Sequence, residues 1–295
     1  MSKGGAPTAG GRATVPIDAG AGPVVVLVHG QPGAGGDWAA LVNLLSDDHR
    51  VLAPDRPGWG SDARAAMGIA ANADALEKVL EAAGVQSPVT VVGHSFGGGV
   101  ALAFALKHPE RVGALVLVGS VGVSGSLSGF DRLLAVPLLG NGILRAGAAT
   151  LRRMLIAATH LPKRHPGARV ANLVSVLPTV QAAIGTDGRP IVGRSRQSFL
   201  VEQRALLAET PELERSLCHI AVPTAVVTGA SDHVVPASAA RSLAGRVPGA
   251  ELVVIAGGHL LPFDHPEKVA AVVRRYSALA CGVRDGLRRR ERPGA

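Results

Sequence analysis

Aromatic side chains are scarce in this 295-residue sequence, which contains five Phe, two Trp and one Tyr, or 3% of all residues. Proteins that bind single-stranded nucleic acid stack the bases on aromatic side chains, so we expect no nucleic-acid partner. The hydrophobic fraction is nevertheless 47%, and only 18% of the residues are charged. This balance excludes a disordered chain and predicts a core built from Val, Leu, Ile and Ala.

Cysteine is almost absent. Cys218 and Cys281 are far apart and lack C-x-x-C spacing, which argues against a disulfide framework and against a zinc site of cysteines. Residues 1–22 are rich in Gly and Ala and lack the apolar stretch of about 7–15 residues that a secretory signal needs. We therefore expect a flexible leader at residues 1–22 and a cytoplasmic protein.

Long uninterrupted apolar runs are also missing. The most apolar segment, Leu133–Leu144, contains Pro137 and Asn141 and is followed by Arg145. A membrane-spanning helix needs about 20 predominantly apolar residues, so this segment is too short and too interrupted to cross a bilayer.

The full sequence has a formal net charge of +8, and one part of it contains very few acidic residues. Residues 122–200 contain two acids, Asp131 and Asp187, and ten basic residues: Arg132, Arg145, Arg152, Arg153, Lys163, Arg164, Arg169, Arg189, Arg194 and Arg196. Such a localised excess indicates a localised role. Either these side chains form a solvated outer face, or they hold the segment weakly against anionic lipid or attract an acidic substrate.

Short apolar runs bounded by Gly, Pro or Asp are typical of strands buried on both faces. Six occur, at Pro23–Val28, Arg50–Pro54, Pro88–Val92, Val112–Val118, Pro223–Thr228 and Ala250–Ile255. Segments with helical spacing separate them, at Asp37–Asp47, Ala70–Ala83, Phe96–Lys107, Ala237–Arg246 and Pro266–Ala280. This alternation predicts an α/β fold with a mostly parallel central sheet and helices on both faces. Between Gly122 and Leu217 it is replaced by a helical insertion, which we expect to cover the ends of the strands.

The segment Gly93-His94-Ser95-Phe96-Gly97 follows a predicted strand and opens a predicted helix. This is the context in which G-x-S-x-G exposes a serine on a strained turn, and the small residues avoid collisions with neighbouring backbone. Ser95 is therefore the candidate nucleophile.

A serine hydroxyl needs a histidine base and a carboxylate that orients the base. Asp232 and His259 each lie four residues beyond a predicted strand, and the chain order Ser, Asp, His is that of the nucleophile-elbow fold. Asp264 and His265 are nearby alternatives, but Asp264 introduces the last predicted helix, which favours a capping role. His233 is interpreted as a neighbour of Asp232 on the same loop.

Two backbone N–H groups should stabilise an oxyanion. One is that of Phe96, directly after the nucleophile. The other is expected on the Gly-rich turn after the first predicted strand, where Gln31 is the candidate. His29 precedes that turn, and we expect it to support the loop by hydrogen bonding.

These motifs resemble the α/β-hydrolase family, in its serine-nucleophile esterase and lipase branch, over roughly Pro23 to Ala280. The matching segments are His29-Gly30-Gln31-Pro32-Gly33 with Trp38, Asp55-Arg56-Pro57-Gly58-Trp59-Gly60-Ser61, Gly93-His94-Ser95-Phe96-Gly97-Gly98, Gly229-Ala230-Ser231-Asp232 and Gly257-Gly258-His259. The resemblance implies that Asp55 belongs to a structural turn. It also implies a core of residues 23–121 and 218–281 and a helical lid at 122–217 with an apolar underside. The arginines of residues 282–295 predict a disordered basic tail.

The resemblance implies a serine hydrolase that cleaves carboxylic esters with small to medium apolar groups, without a metal or organic cofactor. Aspartate replaces the serine in haloalkane dehalogenases and epoxide hydrolases, so neither activity is expected. Carbon–carbon bond hydrolases, cofactor-free haloperoxidases or perhydrolases, and thioesterases share the triad and remain alternatives, as does a non-catalytic ligand-binding scaffold. Relatives usually begin with an antiparallel hairpin, and the short segment before Pro23 leaves those first strands in question.

Overall fold

The computed structural model describes residues 15–159 and 193–290. A seven-stranded sheet forms its centre, and the strands in chain order are β1 (Ile17–Ala19), β2 (Val24–Val28), β3 (Arg50–Ala53), β4 (Val89–His94), β5 (Val112–Val118), β6 (Thr224–Gly229) and β7 (Glu251–Ile255). Their order across the sheet is β1-β3-β2-β4-β5-β6-β7. All neighbouring pairs are parallel except β1 and β3, which are antiparallel. The predicted fold class and all six predicted strands are confirmed.

Strand β1 was not among the predicted strands. It has three residues, and its central Asp18 forms a two-bond ion pair with Arg50 of β3 at 2.9 and 2.8 Å. The ion pair and the backbone hydrogen bonds to β3 hold this strand in place. It therefore needs no apolar run, and the sequence pattern could not reveal it. It lies within residues 1–22, where the sequence predicts a leader, and residues 1–14 of that leader lie outside the described residues.

Helices cover both faces of the sheet. Over the described residues they are α1 (Ala39–Leu45), α2 (Ile69–Ala82), α3 (Phe96–Lys107), α4 (Gly129–Ala135), α5 (Pro137–Thr159), α6 (Gly193–Ser216), α7 (Ala237–Arg246), α8 (Leu261–Asp264) and α9 (Pro266–Arg290). Alternate residues of the central strands enter two separate apolar clusters. Leu115 packs with residues of α2, α3 and α7, whereas Leu27 and Val116 pack with residues of α1 and α9.

The five predicted helices are all present, and the last one is longer than predicted. Helix α9 continues from the predicted end at Ala280 to Arg290. The basic tail predicted at 282–295 is therefore helical through Arg290, and residues 291–295 lie outside the described residues.

Helices α4, α5 and α6 lie in the predicted insertion, of which residues 160–192 fall outside the described residues. A small cluster holds these helices to the core through Trp59, Leu134, Leu144, Phe199 and Leu200, each no more than 7% exposed. The apolar underside of the lid stays a prediction. Other apolar side chains of α4 and α5 are exposed, at 41% for Leu133, 47% for Val136, 89% for Leu138 and 46% for Leu139.

A basic residue of this insertion can be exposed and still bond to the core. Arg194 donates to the carbonyl oxygens of Asp62 at 2.7 Å and Gly60 at 3.0 Å, and so ties the start of α6 to the core. Lys163, Arg164, Arg169 and Arg189 lie outside the described residues. Within the described part of the chain, no helix is both long and apolar enough to span a bilayer.

The strand order creates a crevice at one edge of the sheet. The chain passes from β2 to β3 on one side and from β4 to β5 on the other, so the connections diverge between the adjacent strands β2 and β4. In open α/β sheets, ligands bind outside the carboxyl ends of the strands at such a reversal. The segments that follow β2 and β4 contain Gln31 and Ser95.

Candidate active site

Ser95 occupies the sharp turn between β4 and α3. Its φ of 54° and ψ of −120° make it the only described residue other than glycine with a positive φ. The glycines on either side are required sterically. A Cβ at Gly93 would lie 2.4 Å from the Gly97 carbonyl oxygen, and one at Gly97 would lie 2.2 Å from that of Val28. The structure thus has the predicted elbow geometry.

The end of β5 fixes the backbone of this turn. Ser95 N–H donates to the Val118 carbonyl oxygen at 3.0 Å, and the Ser95 carbonyl oxygen accepts from Gly98 N–H at 3.0 Å and Val121 N–H at 3.2 Å. The serine is buried, with an exposed fraction of 9%. Hydrogen bonds at both the N–H and the carbonyl oxygen of Ser95 therefore hold its strained backbone conformation.

Asp232 and His259 form a hydrogen-bonded pair. The distance from His259 Nδ1 to Asp232 Oδ2 is 2.8 Å, and Asp232 Oδ1 accepts from the N–H groups of Val234 at 2.9 Å and Val235 at 2.8 Å. Burial favours a higher pKa for Asp232, but the His259 contact and the two N–H groups outweigh it and lower the pKa below its ordinary value. Asp232 is thus a carboxylate at neutral pH that can hold the His259 ring in one tautomer.

His94 connects this pair to the elbow. Its Nε2 lies 3.0 Å from the His259 carbonyl oxygen, and the two ring centroids are 4.9 Å apart. Burial, followed by the proximity of His259, lowers the pKa of His94 to about 3, so the ring is neutral at working pH. His259 is therefore held beside the residue that precedes the nucleophile, although the described residues contain no hydrogen bond between Ser95 Oγ and His259.

Gly119 allows the pair to approach the sheet. A Cβ at this position, where φ is +51°, would lie 3.1 Å from His259 Nδ1 and 3.3 Å from Asp232 Oδ2. Because Gly119 follows β5 and Ser95 bonds to the last residue of β5, the glycine brings the acid, the base and the elbow to one place.

The segment after β2 passes directly over Ser95. A Cβ at Gly30 would lie 3.1 Å from Ser95 Cβ. Gln31 N–H makes no hydrogen bond to another described residue, and Phe96 N–H lies in the first turn of α3, where helical N–H groups have no partner within the helix. Gln31 and Phe96 are thus each next in sequence to a residue at the elbow, Gly30 and Ser95 respectively, and their role as oxyanion donors stays a prediction.

Two residues expected to be structural are confirmed in that role. His29 Nε2 accepts from Arg56 N–H at 2.9 Å, and its Nδ1 is 2.9 Å from the Gly30 carbonyl oxygen. Burial, then the charge of Arg56, lowers the pKa of His29 well below its ordinary value. Asp55 accepts from Gly35 N–H and Ser61 N–H, each at 2.7 Å, and so fixes the turn that follows β3.

One buried ionic contact near the site was not predicted. Arg56 and Glu202 form an ion pair, with side chains 4% and 0% exposed. Arg56 was visible in the sequence only as part of a turn motif, and Glu202 lies 146 residues away without any local pattern. Nothing in the spacing of the sequence could have joined them.

Residues near the predicted site offer no metal centre. Among residues 15–159 and 193–290, no group of three or more His, Cys, Asp or Glu side chains is arranged to hold a metal ion. His233 is exposed beside Asp232, as expected for a neighbour on that loop.

Comparison with known proteins identifies the family. The chain is 34% identical over 274 residues to 2-hydroxymuconate semialdehyde hydrolase of Pseudomonas putida, which covers 89% of this chain and 90% of that protein. The structure of this chain is similar to that of a thermophilic esterase from Thermogutta terrifontis, with 25% identity and a TM-score of 0.65. The match covers 92% of this chain and 97% of the esterase chain. A variant of a meta-cleavage product hydrolase matches at 25% identity and a TM-score of 0.59, covering 88% and 92%. Residues 23–266 match the model of the alpha/beta hydrolase fold, and the chain belongs to that family.

Proposed function

We propose that this protein is a serine hydrolase of carboxylic esters in which Ser95, His259 and Asp232 form the catalytic triad. The observation that carries the proposal is the His259–Asp232 hydrogen bond of 2.8 Å beside a serine held at positive φ. A strained elbow with an oriented histidine next to it serves a nucleophile and has no evident use in a folded core. The likeness to a bacterial esterase supports the ester as substrate.

In the first half of the reaction, Ser95 Oγ attacks the ester carbonyl carbon while His259 Nε2 takes the hydroxyl proton. The negative charge that develops on the carbonyl oxygen is stabilised by the N–H groups of Gln31 and Phe96. When the tetrahedral intermediate collapses, the bond to the alcohol breaks and His259 returns the proton to the leaving oxygen. Asp232 stabilises the imidazolium that forms between these steps.

The acyl-enzyme is then hydrolysed by the same groups. Water attacks the acyl carbon, His259 takes one proton from the water, and the Ser95 oxygen leaves and regains that proton. No metal or organic cofactor takes part in either half of this scheme. Helices α4 to α6 act as the lid, and the exposed apolar side chains at the junction of α4 and α5 favour substrates with apolar acyl or alcohol groups.

A covalent probe tests the nucleophile. We expect a fluorophosphonate to label the wild type, and p-nitrophenyl acetate, butyrate and octanoate to be hydrolysed at rates that report the size of the pocket. Ser95→Ala should lose labelling and lower kcat by about 10³-fold or more. Ser216→Ala is the matched control, because Ser216 is only partly buried and its Oγ bonds only within α6. Labelling that persists in Ser95→Ala would exclude Ser95 as the nucleophile.

A second candidate is hydrolysis of a carbon–carbon bond next to a carbonyl group. The specific observation in its favour is the 34% identity, over nearly the whole length, to 2-hydroxymuconate semialdehyde hydrolase. The same triad would serve a vinylogous diketone, whose conjugated absorbance disappears on cleavage. If the purified protein bleaches a dienoate substrate at a higher kcat/KM than any of the three esters, the carbon–carbon reaction replaces the ester reaction as the main activity.

A further inference from the structure

Helix α6 packs one of its faces against the segment that contains Gln31. Phe199, Glu202 and Gln203 have the i, i+3 and i+4 spacing that places side chains on one side of a helix. All three are buried, with exposed fractions of 5%, 0% and 3%. Two of these side chains are polar, which is uncommon in a buried helix face and calls for a specific role.

Glu202 is fully engaged by residues of the turn after β3. Its carboxylate pairs with both terminal nitrogens of Arg56, one of them at 3.2 Å, and accepts from Trp59 Nε1 at 2.8 Å. The guanidinium also lies over the Phe96 ring, 4.7 Å from its centroid. Burial raises the pKa of Glu202, and the Arg56 charge opposes that shift. The ion pair thus connects α6, through Glu202, to Phe96 at the start of α3, through the Arg56 guanidinium.

The remaining donors of Arg56 bind the backbone that leads to Gln31. Nε donates to the His29 carbonyl oxygen at 3.0 Å, and Nη2 donates to the Gly30 carbonyl oxygen at 2.9 Å. The Gly30 carbonyl and the Gln31 N–H belong to one planar trans peptide unit, in which they point in opposite directions. A guanidinium that fixes the Gly30 oxygen therefore also fixes the direction of the Gln31 N–H.

The side chain of Gln31 is held by the same helix. Its Nε2 donates to the Phe199 carbonyl oxygen at 3.1 Å and to Gln203 Oε1 at 3.3 Å. Helix α6 thus holds the Gly30–Gln31 peptide at two points: through Arg56 at the carbonyl and directly at the Gln31 side chain.

We propose that Glu202 is a positioning residue for the oxyanion hole, acting through Arg56 to orient the Gly30–Gln31 peptide over Ser95. This inference rests on the proposed function, because it assigns Gln31 N–H to the transition state. A neutral residue at 202 would leave the guanidinium buried without its counter-charge. Arg56 would then shift toward solvent, and of the two groups that contact the Gly30 carbonyl oxygen only His29 Nδ1 would remain, at 2.9 Å.

The test compares Glu202→Gln with wild type and with Glu209→Gln, using p-nitrophenyl butyrate and an alkylboronic acid that mimics the tetrahedral intermediate. Glu209 is the matched control because it lies on the same helix and also reaches the core, accepting from Ala70 N–H at 2.8 Å, but does not contact the Gln31 segment. Loss of an interaction made only in the transition state lowers kcat and kcat/KM together. We expect about a 10- to 100-fold drop in both for Glu202→Gln, an equal loss of boronate affinity, and a KM within about twofold of wild type. Glu209→Gln should match the wild type.

A folded Glu202→Gln variant with wild-type kcat and boronate affinity would overturn the inference, even if its melting temperature fell. Arg56→Lys provides a second test, since lysine keeps the charge opposite Glu202 but lacks the fork of donors that holds both carbonyls. It should show the same split between kcat and KM, and wild-type kinetics in a folded Arg56→Lys would also overturn the inference. The proposed function fails separately, if the wild type itself neither labels with fluorophosphonate nor hydrolyses the ester.

Discussion

The sheet core and the contact surface of α6 are held together by opposite means. In the core, Val25, Val26 and Leu27 are completely buried among other aliphatic side chains. On α6, the buried Ser198, Glu202 and Gln203 and the exposed Arg194 make hydrogen bonds to backbone carbonyl oxygens and polar side chains of the core. Apolar packing tolerates small shifts, whereas hydrogen bonds require particular atoms at particular distances. The first arrangement determines the fold, and the second determines where one helix lies relative to the site.

The largest effect is expected from a cavity in the core. Leu115 is fully buried in the middle of β5, and Leu115→Ala should lower the free energy of unfolding by about 3–5 kcal/mol. Urea denaturation measures this loss. The kcat of the molecules that remain folded should be nearly unchanged, because Leu115 lies three residues before Val118, the residue of β5 that bonds to Ser95. A specific loss of kcat, with stability retained, would contradict the separation of the two regions.

Acidification should lower the free energy of unfolding, because the folded protein keeps the buried His94 neutral. The pKa of His94 is about 3 in the folded protein and about 6.5 in an unfolded chain. As the pH falls below about 6.5, the unfolded chain binds a proton that the folded protein does not, so stability decreases until the pH reaches the folded value. The loss is about 2 kcal/mol between pH 6.5 and pH 5.

The measurement is the free energy of unfolding in urea at pH 7.5 and pH 5. In His94→Gln, the difference between the two pH values should be smaller than in wild type by about 2 kcal/mol. An identical pH dependence in the two proteins would show that His94 does not carry the effect.

The smallest effect is expected from a single hydrogen bond of α6. Ser198 Oγ donates to the Gly58 carbonyl oxygen at 2.8 Å in a buried position, and Ser198→Ala should cost about 1 kcal/mol. Because the Glu202 contacts remain, ester kcat should stay within about twofold of wild type. A drop of tenfold or more in kcat, measured with p-nitrophenyl butyrate, would extend the positioning role from Glu202 to the whole contact surface.

The same contrast explains what the sequence could predict. The strands were recognisable because burial on both faces demands continuous apolar runs, and α3 was recognisable because helical spacing follows the elbow motif. The order of Ser95, Asp232 and His259 was informative because each follows a strand of the parallel part of the sheet, and parallel strands end at one edge of the sheet.

The missed features depend on contacts between distant polar residues. Strand β1 is stabilised by Asp18 and Arg50, and α6 is placed by Glu202 and Arg56, and neither pair leaves a periodic pattern. The apolar residues of α4 and α5 were expected to form the underside of the lid, but hydrophobicity alone does not specify which of them the core covers. Leu134 and Leu144 are buried, whereas Leu138 is almost fully exposed.

The backbone of Ser95 has a consequence for the evolution of stability in this protein. A positive φ at a residue other than glycine costs on the order of 1 kcal/mol or more, and glycine adopts such a conformation without that cost. Ser95→Gly should therefore give an inactive protein whose thermal midpoint is equal to or higher than that of wild type. Selection for heat resistance alone would favour glycine at this position. A serine there is therefore evidence of selection for catalytic activity.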